Sequence, residues 1–492
     1  MELPLIIDLD GKQSLQVQIH NQILDLILSG SLENGCRLPS SRDLSDQLDV
    51  SRNTIKGAFD KLLEEGYIES RAGSGTYVST ILPEQTISVE EKNDQQKSIK
   101  NERPIDLEEK TKGNEERLYK RDVSDILYDF QLERTDPNSF PVKTWRRLIN
   151  DRLGSAKANM TRYGEPTGHP ELRRAIATRL GSTRGMVIDP DQIIILTGIQ
   201  QGLNIVSHLL VRKGSKVVLE APGYRGASYL FENYGADLVP VPVDEHGVMI
   251  DKLPSTHTDI AFITPSRQFP LCATLSVERR KGLINWAEKV GAYILEVDYD
   301  SDFRYEGSPL PAIKSFDDQN SVIYLSSFSK SIGPGLRIGY MVVPPELVEH
   351  AKSSKVLLDY GLPWLDQVVL TDFLTTGSFD NYLKRLRRLY ISRRDCLVDT
   401  LKEKFGNDVD LKGTDCGTHL IWRLPESTMD AITLQKKMVE QQVGIYTLHH
   451  HTVSNPEMAS DNEQIVMLGY AAIEKDNIRE GICRIAARFE DF

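Results

Sequence analysis

Two different hydrophobic rhythms divide this chain. Between Leu15 and Leu28 the apolar residues Ile19, Ile23, Leu26 and Ile27 recur at helical spacing and predict a helix with one buried face. LPSSRDLSDQL then predicts a short Ser-capped helix, and VSRNTIKGAFDKLLEEG a third, with Ser51 as its N-cap and Ile55, Phe59, Leu62 and Leu63 on its buried face. YIESRAGSGTYVS alternates across a Gly-containing turn and predicts a two-stranded wing. From about residue 126 the rhythm changes. Short apolar runs, QIIILTG, KVVLEAP, IAFITP, AYILEVD and SVIYLSS, alternate with helical patterns, and each is bounded by Gly, Pro or polar turn residues. Buried strands alternating with helices predict an α/β domain around a mostly parallel sheet.

Between the two lies a stretch with neither rhythm. Residues 81–125 are rich in Glu, Lys, Asn and Gln and poor in large apolar side chains. Such a segment buries too little surface to offset its ordering entropy, so it reads as a flexible charged linker. The expected organisation is therefore a helical module at 1–80, a linker at 81–125 and an α/β domain at 126–492.

Composition narrows the functional classes. Of 492 residues, 40% are hydrophobic and 26% charged, a soluble globular balance, and the formal net charge is −12. A nucleic-acid contact must then come from a local patch rather than from overall charge. The five cysteines are scattered without a CxxC pair, which points to a reducing cytoplasm and to neither a disulfide framework nor a zinc cluster. MELPLIIDLDGKQ lacks the features of a signal peptide, and no apolar run approaches the roughly 20 residues needed to cross a bilayer.

Helix, helix-turn-helix and wing form a winged-helix reader of double-stranded DNA, in which the N-terminal end of the third helix enters the major groove. Charge in residues 1–80 tests this: seven Lys and Arg stand against twelve Asp and Glu. The distribution favours the reading, because Arg42, Arg52, Lys56 and Arg71 fall at the helix starts, on the outer face and in the wing. Arg52 and Asn53 suit base edges; Ser41, Arg42, Ser51, Thr54, Lys56, Arg71 and Ser74 suit phosphates or the minor groove. The competing reading is a helix-turn-helix used for protein contact. The run RLPSSRDLSDQLDVSRNTIKGAFDKLLEEGYIESRAGSGTYV resembles the GntR-type winged helix, and that resemblance favours DNA.

The α/β half carries a lone lysine in SSFSKSIGPGLRIGY, Ser326 to Tyr340. A lysine among small residues is suited to forming a Schiff base. TGIQQG, with Gln200 and Gln201, follows a strand and opens a helix, so its backbone donors suit a phosphate. Ser327 and Ser329 add hydroxyls, Arg337 a charge-assisted bond, Tyr224 a stacking ring and Tyr299 a phenol. Each motif alone is weak, and a single Lys in a Gly/Ser loop is commonly just solvated; the ordered set is what carries weight.

That set resembles the fold-type I aminotransferase domain. Joined to a GntR winged helix, it resembles the MocR subfamily of transcription regulators, with landmarks YDFQLERTDPNSFPVKTW, RYGEPTGHPELRRAIA, LTGIQQGL, EAPGYRGA, TPSRQFPLCATLS, EVDYDSDFRY and MLGYAAIEKDNI. The resemblance implies pyridoxal 5′-phosphate as cofactor, Lys330 as the lysine of its internal aldimine, Arg337 on the phosphate, Tyr224 over the ring and Tyr299 near the phenolic oxygen. It also implies a DNA operator and a small-molecule effector as partners, and a head-to-tail homodimer.

Three departures from the family pattern bear on activity. The acid expected opposite the pyridine nitrogen falls at Val297; a shift of frame would bring in Asp298 or Glu296 instead. The Arg expected to clamp an amino acid carboxylate falls at Ala472. Arg267 stands where the family has His, near the expected ring, where it either disfavours a protonated nitrogen or receives the anion that Ala472 cannot. The expected function is a cytoplasmic transcription regulator that senses pyridoxal phosphate or an amine-like effector at Lys330. A working aminotransferase fused to a DNA module is the alternative, and the losses at 297 and 472 weigh against it. No metal site is expected; His449 to His451 read as an exposed loop.

Overall fold

The computed structural model describes residues 3–8, 13–71, 74–80, 82, 126–307, 310–425, 429–448 and 464–489. The expected linker, apart from residue 82, and the His449–His451 run lie outside these. The chain divides into two compact units, Met1–Ile105 and Asp106–Phe492.

In the first unit, helices α1 (Leu15–Leu28), α2 (Ser41–Leu48) and α3 (Arg52–Glu64) precede the antiparallel strands β1 (Ile68–Arg71) and β2 (Gly75–Val78), paired with Ile68 opposite Val78 and Arg71 opposite Gly75. Ser40 and Asp43 cap the start of α2 reciprocally, and Asp49 ends it in the left-handed conformation, turning the chain into α3. Ile19, Ile23 and Ile27 pack with Leu44, Ile55, Phe59, Leu62, Ile68 and Val78. Leu63 departs from expectation and is exposed, because Ile55, Phe59 and Leu62 already occupy the inward stripe one residue round the helix.

The second unit opens with β3 (Tyr128–Asp129), followed by helices α4 (Val142–Gly154) and α5 (Pro170–Arg184). The central strands are β4 (Ile193–Leu196), β5 (Lys216–Ala221), β6 (Asp237–Asp244), β7 (Gly247–Val248), β8 (Ile260–Ile263), β9 (Tyr293–Asp298), β10 (Val322–Ser327) and β11 (Gly339–Val342). They form one sheet in the order β4-β11-β10-β9-β8-β5-β6-β7. β5 pairs in parallel with β6 and β8, as β9 does with β8 and β10, whereas β11 runs antiparallel between β4 and β10. The strands β4 and β8 are buried at every position, as continuous apolar runs require when helices cover both faces. Those helices include α6 (Ile199–Leu210), α7 (Arg225–Asn233), α8 (Val277–Val290), α9 (Val348–Asp359), α10 (Trp364–Thr375) and α11 (Ser378–Phe405).

A smaller sheet follows. Strands β12 (Asp410–Lys412) and β13 (His419–Arg423), helix α12 (Ala431–Glu440), strands β14 (Val443–Gly444), β15 (Tyr446–Thr447) and β16 (Ile465–Gly469), and helix α13 (Lys475–Phe489) complete the chain. β12-β13-β16-β15 form that sheet, and β14 pairs in parallel with β3. The pairing ties the chain's entry into this unit to its C-terminal part. No helix of the described residues is long and apolar enough to cross a membrane.

Candidate functional site

In the first unit the candidate DNA-facing residues gather at the helix starts and the wing. Ser51 caps α3, its hydroxyl accepting from the Thr54 N–H at 3.1 Å and pairing with the Thr54 hydroxyl at 2.7 Å. Arg52, Asn53 and Lys56 are exposed on the first turns of α3, and Arg42 is exposed at the start of α2. Arg52 Nε reaches Ser41 Oγ at 3.4 Å across the helix pair. In the wing, the Arg71 guanidinium lies 4.4 Å from the Tyr77 ring centre and is paired with Glu69, while Ser74 Oγ is 2.7 Å from Tyr77 Oη. The wing arginine is thus held in place and part-neutralised by Glu69.

In the second unit, neighbouring strand ends open onto a cavity of about 540 Å³, a size suited to a cofactor with a small ligand. Open α/β sheets bind ligands outside the carboxyl ends of their strands, and the cavity follows that rule. The loop after β4 supplies Gly198, Ile199 and Gln200. Tyr224 comes from beyond β5, Phe262 and Thr264 from the end of β8, Val297 and Tyr299 from the end of β9, and Ser327, Ser329 and Lys330 from the end of β10. Arg337 and Pro334 close one side, and Gln131 to Thr135, just after β3, close another.

Gly198 precedes α6 with φ of +146°, and a Cβ built on it would lie 3.0 Å from Arg337 Nη2. Only glycine leaves that guanidinium room beside the helix N-terminus. Free N–H groups, Arg337 and the hydroxyls of Ser327 and Ser329 converge there on an anion's place. Lys330 is part-buried, and its Nζ donates to the Glu133 carbonyl at 2.9 Å. Tyr299 Oη and Gln131 Oε1 are buried and have no hydrogen-bond partner among the described residues. Burial pushes the Tyr299 phenol well above its ordinary range, so it stays a neutral donor. Two orphaned polar atoms, a glycine-lined anion cradle and a lysine in one cavity wall fit pyridoxal phosphate. Lys330, Arg337, Ser327, Ser329, Tyr299, Tyr224 and the start of α6 are the residues that would hold it.

The open question at the end of β9 has a geometric answer. β9 pairs with β10 so that Val297 lies opposite Leu325 and Asp298 opposite Ser326. Val297 lines the cavity. Asp298 is turned to the other face, where Arg184 Nε donates to it at 2.8 Å and Tyr324 Oη at 2.7 Å. Burial pushes its carboxyl up, but Arg184 and these donors outweigh burial and hold it below the usual carboxylate range. Glu296 is also tied off, accepting from the N–H groups of Ile313 at 2.8 Å and Lys314 at 2.9 Å. No frame shift brings either acid into the cavity.

Four further candidates lie outside the cavity lining. Asp298, expected as a cofactor contact, is held by Arg184 as described. Gln201 braces the loop instead, accepting from the Thr197 N–H at 2.9 Å and donating to Asp359 at 2.8 Å. Arg267 is buried behind the wall, donating to Cys272 Sγ at 2.9 Å, to Cys416 Sγ at 3.0 Å and to the Cys416 and His419 carbonyls, with Asp300 at 3.6 Å. Sulfurs and carbonyls take its Nη donors, and its buried Nε faces Asp300 rather than the cavity. Ala472, part-buried past β16, offers no polar group.

Gln131–Thr135 and Asp300 lie within the landmarks YDFQLERTDPNSFPVKTW and EVDYDSDFRY, but the sequence assigned none of them a place in the site. Burial raises the Asp300 carboxyl to about 6, against the pull of Arg267 and Lys330. Glu133 adopts φ of +67°, an uncommon left-handed conformation for a residue with a side chain. Only the fold brings these two residues to Lys330.

Comparison with known proteins agrees with both units. Residues 15–78 match the family described as bacterial regulatory proteins, gntR family, and residues 132–485 match aminotransferase class I and II. The chain is 33% identical over 485 residues to the probable rhizopine catabolism regulatory protein MocR of Rhizobium meliloti, covering 99% of this chain and 96% of that one. It is 27% identical to the pyridoxine biosynthesis transcriptional regulator PdxR of Corynebacterium glutamicum, covering 99% and 98%. Among solved structures, a multiple substrate aminotransferase from Thermococcus profundus superposes with a TM-score of 0.69 at 26% identity, over 77% of this chain and 94% of that one.

Proposed function

The chain belongs to the MocR subfamily of GntR-type regulators, a gntR-family domain joined to an aminotransferase class I and II domain, and from that premise we propose that it is a DNA-binding regulator responsive to pyridoxal phosphate or an amine-like effector bound at Lys330. The carrying observation is the cavity itself, with Lys330, Arg337, Tyr224 and Tyr299 on its wall in a chain that also holds a helix-turn-helix. Pyridoxal phosphate, when bound, supplies an aldehyde carbon that condenses with amines and a ring that withdraws electrons. Lys330 Nζ would be the amine that holds the aldehyde carbon. Arg337, Ser327, Ser329 and the first N–H groups of α6 would bind the phosphate, Tyr224 would cover the ring, and Tyr299 would donate to the phenolic oxygen.

Val297 sets the limit on chemistry. An apolar side chain at the cavity wall would give a ring nitrogen there no partner to keep it protonated, and such a ring would draw electrons weakly. With Ala472 in place of a carboxylate clamp, the substrate is also loosely held. Recognition of an amine survives these losses; efficient transamination does not. Operator response follows if the two arrangements of the large domains bind the effector with different affinity.

The protein would work as a cytoplasmic head-to-tail homodimer. Tyr163, Leu357 and Tyr360 are exposed by 89%, 84% and 61%, with the two tyrosine rings 5.6 Å apart, an apolar patch suited to a second copy. Sedimentation as a monomer at micromolar concentration would count against that part.

The test of the whole reading is an absorption spectrum with pyridoxal phosphate, beside Lys330→Ala, paired with operator binding. A cofactor band that the variant lacks, with operator affinity that changes on adding cofactor or amine, supports it. Equal operator affinity under every condition removes the sensing function, and absence of a band removes the cofactor.

A further inference from the structure

We propose that Arg134 receives the anionic end of the effector, which is accordingly an amine bearing one carboxylate or sulfonate; this rests on the reading of Lys330 as the cofactor lysine. Three cationic side chains line the cavity: Lys330, Arg337 and Arg134. Arg337 is committed beside Gly198 at the start of α6, the phosphate end. Lys330 is committed to the cofactor. Arg134 is the cation left for the ligand.

Its position suits the task. Lys330 Nζ donates to the Glu133 carbonyl at 2.9 Å, so the loop carrying Arg134 touches the point where an incoming amine reacts. The left-handed φ of +67° at Glu133 fixes how the loop turns beside the lysine. The Arg134 side chain is 47% exposed and makes one ion pair, to Asp129 Oδ2 at 3.1 Å. No other hydrogen bond to a described residue engages it. A planar fork with most of its donors open is suited to bidentate capture of an anion.

The resting partner is exchangeable. The arginine end of the pair is half-exposed, where an ion pair contributes roughly 0–1 kcal/mol, while Asp129 is 15% exposed and keeps a second partner when a ligand anion displaces it. Asp129 is itself anchored, accepting from Tyr446 Oη at 2.8 Å, and burial raises its carboxyl above the ordinary range. It therefore tolerates losing Arg134 better than an isolated buried carboxylate would. Glu133 also lines the cavity and disfavours a second negative charge on the ligand. The missing guanidinium at Ala472 is thus replaced from the opposite end of the sequence.

The experiment uses full-length protein loaded with pyridoxal phosphate. It is titrated with 4-aminobutanoate, 3-aminopropanesulfonate and butylamine, reading the displacement of the cofactor band. The anionic amines should bind ~3- to 5-fold tighter than butylamine, the two acids ranking carboxylate against sulfonate. Arg134→Gln should abolish that preference, and Asp129→Asn, by removing the competitor, should enlarge it. Equal affinity for butylamine and both acids overturns the proposal, as does a preference that survives in Arg134→Gln, or a band that no amine displaces. A wild-type protein without any band before amine is added fails earlier, at the cofactor reading, and takes this inference with it.

Discussion

Replacing Val297 with Asp puts a carboxylate where the cavity now has a methyl-lined wall. Val297 is 4% exposed, and both nearby acids, Asp298 and Glu296, are occupied on the opposite face. The introduced group would therefore face the cavity without a competing partner. In the cofactor-free protein it is a buried, unpaired acid, and such changes cost about 3–5 kcal/mol. Burial raises its folded-state pKa, so protonation relieves the cost. The melting-temperature deficit should be small near pH ~4 and widen as pH rises above the ordinary carboxylate range. With the cofactor bound the sign reverses. A carboxylate within about 4–6 Å raises the ring nitrogen's pKa by roughly 1–3 units, each worth about 1.4 kcal/mol. Pyridoxal phosphate should then raise the melting temperature of Val297→Asp more than that of wild type, and the cofactor band should change its pH dependence. Exchange of the α-hydrogen of L-alanine in D₂O, followed by NMR, should accelerate by ~10-fold or more. A Val297→Asp protein with wild-type band titration and no added exchange would show that residue 297 does not face the ring nitrogen, and the argument for weak chemistry would fail.

Alanine at Arg52 or Lys56 should weaken operator binding by ~10-fold or more and flatten its dependence on salt, measured by fluorescence anisotropy; unchanged binding would move the DNA surface elsewhere on the module. Glu220 is fully buried, accepts from the Thr264 N–H at 3.1 Å and from the Thr264 hydroxyl, and burial raises its carboxyl to about 7. A raised folded pKa contributes stability at low pH that is lost as pH rises from about 4.5 through about 7, so Glu220→Gln should flatten the fall in melting temperature between about pH 5 and pH 8. If the wild-type and variant curves run parallel, Glu220 is not the group responsible.

The fold was largely legible because its signals are local. Helical and strand periodicities, the Ser51 cap and the Gly-bounded apolar runs each act over a few residues, and the matched families cover the same regions. Strand alternation correctly separated Val297 from Asp298. What escaped was non-local. Arg267 stands two residues before Phe269, which lines the cavity, and sequence order placed it near the cofactor ring. Yet it is packed against Cys272 and Cys416, residues whose approach depends on how the smaller sheet meets the larger. Gln201 follows Gln200 and shares its motif, but one step round a helix is about 100°, enough to turn it from the cavity to Asp359. Arg134 and Glu133 lie in the landmark YDFQLERTDPNSFPVKTW but were given no role, because their place beside Lys330 exists only where the chain following β3 meets the end of β10.

The pattern of kept and lost groups has a thermodynamic logic. Catalysis needs interactions that strengthen in the transition state, whereas holding a cofactor needs only those present in the ground state. Lys330, Arg337, Tyr299 and the glycine cradle at Gly198 belong to the second kind, and all are in place around one cavity. An acid at position 297 and a clamp at 472 belong to the first, and both are absent. A regulator loses nothing by that absence, since a ligand shifts a two-state equilibrium only by its difference in affinity for the two states. A tenfold difference moves the equilibrium by about 1.4 kcal/mol, more than one half-exposed contact to Arg134 supplies, and full switching from 1:99 to 99:1 needs about 5.5 kcal/mol. One anion contact therefore tunes the response but does not drive it alone. On the proposed reading the remainder comes from the amine's reaction at Lys330, so Arg134→Gln should shift the effector concentration needed for a response and leave a response in existence, while Lys330→Ala should abolish it.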